Sequence, residues 1–263
     1  MPGLLPLACS AFLLVGLAWG QVWDVAGAHE LATSPRVQVV VGEEDRQPSA
    51  DPAVGRLRKA RKGDYLFCTA TLVGPSCAVT AGHCSTVFEV MEFDLEIVPN
   101  RFTYARPENL FEVDRDGVIK VAEGKGRDWA VLPLKTNRKT GRSPGADRPY
   151  YDVATEPPVP GQTMIMAGYG ASKNPYAFSQ QSSRGSLTTL VTQENGPTYV
   201  EHTLDSGSSS SGSALRDAET GHIVAIHTHG DSDRQINSGT LVGGFQTLAE
   251  AIEACERRGG AGF

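Results

Sequence analysis

Two stretches of the chain carry side chains that could act together on a carbonyl group. In "CAVTAGHC", Cys77 to Cys84, His83 stands directly after a strand-like run and beside Cys84. A histidine used as a general base must be held at a fixed position, and this placement would hold one. Ala81 and Gly82 are small enough for neighbours to close in on it, and a Cys84 bridge to Cys68, sixteen residues earlier, would clamp the histidine loop to the preceding strand. The second stretch is "DSGSSSSGSAL", Asp205 to Leu215, with six serines in eleven residues. Its composition alone reads as flexible linker. Its flanks, "TYVEHTL" and "HIVAIHTHG", alternate in the β manner, so the serines join two strands and could present a hydroxyl nucleophile. Carboxylates able to orient His83 are Asp128, which opens the apolar run "DWAVLPL", and Asp114 and Asp116 in the turn-like "VDRDG". An Asp at the start of an apolar strand can lie at a barrel rim and accept the Nδ1 proton of the imidazole.

The elements that must position these residues are short and extended. The chain has 263 residues, 40% of them hydrophobic, with 29 Gly and 16 Pro, enough core for one large all-β unit or two small ones with many turns. A first set of strands includes "CTATLVG", "CAVTAG", "GVIKVAEG" and "DWAVLPL"; a second includes "TMIMAGYG", "YVEHTL", "HIVAIHTHG" and "SGTLVGG". Between them lies the Pro/Gly/Arg-rich "NRKTGRSPGADRPYYDVATEPPVPGQ", an interdomain connection. The chain closes on a helix, "TLAEAIEACERR", whose Leu248, Ile252 and Cys255 share a face, so Cys255 is expected to point inward.

The apolar start "MPGLLPLACSAFLLVGLAWG" reads as a secretory signal over residues 1–20 rather than a retained anchor, and the mixed segment 21–39 as a propeptide with Arg36 its nearest basic cleavage point. No later stretch is apolar enough to span a bilayer, so a secreted protein with no stable membrane anchor is expected. Loss of the signal removes Cys9 and leaves Cys68, Cys77, Cys84 and Cys255, an even count that suggests two disulfides in an exported protein; spacing cannot choose among the three pairings. No Cys or His spacing fits zinc, and no cofactor is called for. A net charge of −6 argues against nucleic acid, and the basic run "RLRKARK", Arg56 to Lys62, reads as a solvated loop or strand edge.

"CTATLVGPSCAVTAGHC" resembles the histidine loop of chymotrypsin-like serine proteases, and the resemblance extends from about Val40 to the C-terminal helix. It implies an all-β fold of two six-stranded antiparallel β-barrels with a C-terminal helix, the N-terminal barrel over 40–145 and the C-terminal barrel and helix over 146–263. "GRDWAVLPL" resembles the family's aspartate strand, which makes Asp128 the carboxylate. The family's G-x-S-G pattern is matched best by "SSSGSAL", which makes Ser211 the nucleophile and Ser206 a decoy. The order His83, Asp128, Ser211 is the family's; an α/β-hydrolase would need Ser, Asp, His. The implied oxyanion hole uses the amides of Ser211 and Ser209, where the family has glycine at the latter. If that position needs φ > 0, serine costs about 1–2 kcal/mol more than glycine. With Cys68 and Cys84 taken, Cys77 in the first barrel and Cys255 on the helix are expected to bridge.

"VVGEEDR", "DSGSSSSGSAL", "IHTHG" and "NSGTLV" resemble the glutamyl endopeptidase branch. Trypsin-type enzymes need an Asp immediately before the nucleophile to receive the new N-terminal amine, and that residue here is Ser210. The resemblance implies that the amine, near Val37 to Val40, binds a P1 carboxylate together with a partly protonated His227 and Ser206. His227 as a neutral core histidine is the opposing structural reading. Asp205, six residues before Ser211, is where trypsin-like enzymes select Arg or Lys, so specificity depends on where it points. The expected activity is a monomeric secreted endopeptidase acting on proteins or peptides, with Glu preferred at P1. The alternatives are Arg/Lys specificity through Asp205, an inactive protease homologue that binds partners through the same cleft, and a structural secreted β-protein.

Overall fold

A computed structural model describes residues 39–63, 65–171, 175–192, 199–242 and 246–259. The signal and propeptide assignments fall outside the described residues, Val39 excepted. Strand β1 (Gln47–Pro48) precedes a seven-stranded antiparallel sheet made of β2 (Val54–Arg58), β3 (Phe67–Gly74), β4 (Cys77–Thr80), β5 (Val90–Glu92), β6 (Leu110–Glu112), β7 (Ile119–Ala122) and β8 (Asp128–Pro133). Its order is β6-β5-β2-β3-β4-β8-β7. The second half contains β9 (Thr163–Tyr169), β10 (Gln180–Val191), β11 (Tyr199–His202), β12 (Ala214–Asp217), β13 (Ile223–Asp231) and β14 (Ile236–Leu241). There β9 pairs with both β10 and β12, closing the ring β9-β10-β11-β14-β13-β12, and β1 adds to β10.

The molecule is therefore a double β-barrel fold, with one closed six-stranded barrel and one curled, incompletely closed sheet. The difference from two equal six-stranded barrels has a local cause. The edge strands β6 and β7 are three and four residues long and are joined through a tight 3-10 turn at Arg115–Gly117, leaving little ladder to pair. The N-terminal segment counted with the first barrel bonds instead to the second, through β1 and through Val41 and Asp45. No strand occupies the connection between β8 and β9, which touches both halves: Tyr151 N–H donates to Leu72 O at 3.0 Å and Ala154 N–H to Ile223 O at 2.8 Å.

Apolar residues of β3, β4 and β8, Trp129 among them, build the larger core with Phe93 and Phe111. Helix α1 (Gln246–Gly259) completes it by packing on β3, β4 and β8 with Leu248, Ala251 and Cys255 inward. Two disulfides are present, Cys68–Cys84 and Cys77–Cys255, the latter tying α1 to β4. The basic run is the solvated loop that its composition suggests only over Ala60 to Lys62, not in its first half. Arg56 and Arg58 lie buried in β2 and share the buried Glu92, with Arg56 Nη2 to Oε2 and Arg58 Nη2 to Oε1 both 2.7 Å. The Arg56 guanidinium also stacks 3.9 Å over the Phe102 ring. A carboxylate and aromatic faces supply what water would otherwise give these cations.

Candidate active site

His83 and Asp128 meet where the end of β4 faces the start of β8. The imidazole Nδ1 lies 2.7 Å from Asp128 Oδ2, and the backbone N–H of His83 donates to Oδ1 at 2.9 Å. Burial alone would raise the Asp128 carboxyl, but hydrogen bonding and charge from His83 outweigh it and hold the group below the usual aspartate range. The carboxylate thus fixes both the ring and the loop that carries it. Gly82 makes the approach possible, since a Cβ there would stand 1.8 Å from the Val121 carbonyl oxygen. Asp114 and Asp116 lie in the 3-10 turn around Arg115–Gly117, whereas both of these His83 contacts go to Asp128. The His83 ring also has Cys68 and Cys84 sulfurs close by, the ligand atoms lying within 4.8 Å of one another, but those sulfurs are joined to each other and cannot ligate a metal as thiolates.

The serine-rich loop runs between β11 and β12 and is pressed onto the strand ends that support His83. The Ser211 carbonyl accepts from Thr69 N–H at 2.9 Å and lies 3.8 Å from Cys84 Sγ, the sulfur of the residue after His83. Gly212 N–H donates to His227 O at 2.8 Å, and a Cβ on Gly212, whose φ is +89°, would come within 2.1 Å of Thr69 O and Thr80 Oγ1. Ser209 also adopts positive φ, at 79°, the conformation that glycine tolerates best. Ser206 is different in kind: it is fully buried, and its hydroxyl donates to Asn237 Oδ1 at 2.9 Å.

Asp205 is engaged by the chain's own N-terminal segment. Its Oδ1 accepts from Val41 N–H at 2.7 Å and its Oδ2 from Asp45 N–H at 2.9 Å. Burial, opposed by these amide contacts and assisted by the nearby Asp45 carboxyl, pushes its pKa up. His227 is wholly buried on β13, with Nδ1 3.2 Å from Nε2 of His202 on β11. Burial holds both rings neutral, His202 down to about 3 and His227 well below its ordinary value, with the other histidines adding to the His227 shift. Without a carboxylate partner, burial thus favours the neutral imidazole at His227. Its Nε2 has no hydrogen-bond partner among the described residues, a donor or acceptor left over in the interior.

Sequence reasoning passed over His202, His229 and Asn237. His229, whose ring centroid is 6.3 Å from that of His83, stood in plain view in "HTHG". His202 and Asn237 occupy ordinary positions of alternating strands, and only their partners across the barrel mark them. Val39 N–H donates to Asn237 Oδ1 at 3.1 Å; residues 37 and 38, the other candidates for a new terminus near Val40, are outside the described residues.

Comparison with known proteins agrees with this architecture. A family model described as Trypsin matches residues 40–252. Among solved structures, a Glu endopeptidase in complex with MPD superposes with a TM-score of 0.62 at 21% identity, over 82% of this chain and 98% of that one. A thermostable serine protease, AL20, from an extremophilic microorganism gives 0.60 at 17% identity, over 78% and 97%; the protease Anisep from Arthrobacter nicotinovorans gives 0.60 at 17%, over 81% and 100%. A search of curated proteins returns no match. At these identities the structures speak for the fold, while the family match spans most of the sequence: the chain belongs to the trypsin family and is a serine protease.

Proposed function

We propose that the protein is a secreted endopeptidase that cuts after acidic residues, with Ser211 as nucleophile, His83 as general base and Asp128 as the group that orients it. The observation that carries the reading is the His83–Asp128 pair, bonded at 2.7 Å, beside a loop that holds Ser211 by its backbone to Thr69. In this mechanism Ser211 Oγ bonds to the scissile carbonyl carbon as its proton passes to His83 Nε2. Asp128 stabilises the imidazolium, and the amides of Ser209 and Ser211 receive the oxyanion. Collapse expels the amine, which takes the proton from His83. Water, deprotonated by the same ring, then releases the acid from the acyl-enzyme.

Two features support a Glu preference over Arg or Lys. Asp205 already accepts two backbone N–H groups, so its charge is directed into the N-terminal segment and away from a substrate cation. His227 keeps a buried, unpartnered Nε2 that would take up a proton and pair with an entering carboxylate, and the Ser206 hydroxyl would join it by turning its proton from Asn237 Oδ1 to the substrate. The strand residues Thr228 to Gly230 would bind the peptide ahead of the cut as an added strand. Two disulfides suit an extracellular compartment, and no helix among the described residues is long and apolar enough to cross a membrane.

The test is fluorophosphonate labelling and cleavage of a mixed peptide library by the protein and by Ser211→Ala. Labelling and cuts after Glu, both abolished in Ser211→Ala, are expected. Cuts after Arg or Lys would reassign the pocket to Asp205, and an unlabelled, folded protein would make it a binding homologue.

A further inference from the structure

Asn237, the second residue of β14, is fully buried, and its side-chain amide is completely used. Its Oδ1 accepts from Val39 N–H at 3.1 Å and from the Ser206 hydroxyl at 2.9 Å. Its Nδ2 donates to Val39 O at 2.6 Å and to Leu204 O at 2.8 Å. One amide therefore grips the backbone of Val39 on both sides while it holds the hydroxyl of Ser206 and the carbonyl two residues earlier. Ser206 N–H adds a bond to Val39 O at 3.1 Å, and Asp205 takes the amides of Val41 and Asp45. Asp205 and Ser206 of the loop are thus bound directly to one docked segment, Val39 to Asp45, and Leu204 is tied to it through Asn237.

Every one of these contacts on the segment side is a backbone N–H or C=O. The receptor reads the backbone of a segment that bends at Gly42, whose φ is +87°, in contrast to a device that depends on an aspartate before the nucleophile, where this chain has Ser210. We propose that Asn237, with Asp205, is a docking site for the chain's own residues 39–45, and that Asn237 is a positioning residue which fixes Ser206 for the P1 side chain. The inference rests on the assignment of Ser206 to the P1 pocket. Docking then sets how tightly substrate is held and has little to do with the acyl-transfer steps at Ser211.

The experiment is a double-mutant cycle in the full chain with Asn237→Ala and Val39→Pro, the latter deleting the N–H that Asn237 receives together with the buried Val39 side chain, for which Val39→Ala is the control. KM and kcat are measured on whichever P1 residue the parent protein prefers. Asn237→Ala is expected to raise KM by about tenfold or more, a loss of the size that buried hydrogen bonds carry, with kcat falling less than about threefold. Val39→Pro should raise KM by a smaller factor, and the double variant should match Asn237→Ala alone, because the two share one interaction. Multiplying effects, an unchanged KM, or a fall in kcat that matches the rise in KM would each overturn the proposal. If Asn237→Ala does not fold, Val39→Pro and Asn237→Asp decide it, the latter keeping the acceptor and losing both donations; normal KM in both refutes the docking role. A parent without acid preference refutes the Glu reading alone, since the cycle is read on any preferred substrate.

Discussion

Acid stability should turn on His202. Its ring is fully buried on β11, its Nε2 faces His227 Nδ1 at 3.2 Å, and its own Nδ1 meets no partner among the described residues. Burial lowers its pKa from 6.5 to about 3. The unfolded chain therefore binds a proton at this residue as pH falls through about 6.5, and the folded chain does not until about pH 3. Stability from this residue is intact above the upper value and is lost across the window between the two. At about pH 5 the loss is RT ln(1 + 10^1.5), about 2 kcal/mol. His227, shifted in the same direction, adds to the loss, whereas Asp128 and Glu92, whose carboxyls are held below their usual range, contribute only at lower pH. Urea unfolding of Ser211→Ala protein, which lacks the proposed nucleophile, would be compared with the same protein carrying His202→Gln, whose amide can still reach His227. Between about pH 8 and about pH 5 the parent should lose about 2 kcal/mol more than the variant. Equal losses would show that His202 titrates normally and that the barrel interior is wetter than its burial indicates.

Ser209 at φ 79° should be a strained residue. Ser209→Gly relieves about 1–2 kcal/mol of left-handed strain and gives back about 0.5–1 kcal/mol of chain entropy, so a net gain of about 0.5–1 kcal/mol and a melting temperature higher by about 1–4 °C are expected by calorimetry. A lower melting temperature would mean that Ser209 gains more from its surroundings than it loses in backbone. The Cys77–Cys255 bridge closes a loop of 178 residues, so replacing both cysteines with Ala should cost about 3–5 kcal/mol in urea unfolding. An unmoved midpoint would show that Leu248 and Ala251 hold α1 by packing alone.

What could be read in the sequence was what depends on near neighbours in the chain. The histidine loop announces itself because its requirements are local: a strand end, two small residues and flanking cysteines all fall within "CAVTAGHC". Helix α1 is legible for the same reason, since its inward face repeats within one element. The serine loop is a harder case. The family pattern points to Ser211, but the six hydroxyls are chemically identical, and backbone conformation and burial are what set apart Ser206, sealed against Asn237, and Ser209 at positive φ.

The misreadings share the opposite property. Arg56 and Arg58 sit in a run of positive charge that ordinarily lies in water, and the carboxylate that lets them be buried, Glu92, is 36 and 34 residues away, with the aromatic ring of Phe102 farther still. The partners of Asn237 include a backbone 198 residues distant, and nothing in "INSGTL" distinguishes its amide from a solvent-facing one. A polar side chain in a strand declares no role until the fold determines whether it meets water or a buried backbone. In the second case the cost of leaving it unpaired, about 1–3 kcal/mol for each group, compels a specific partner. Under the proposed function the P1 wall is built from such compelled pairings: Asp205 with two amides, and Asn237 with Val39, Leu204 and Ser206. A wall of this kind is rigid only while its remote partner stays docked, so the specificity of this protease should depend on residues that never touch its substrate.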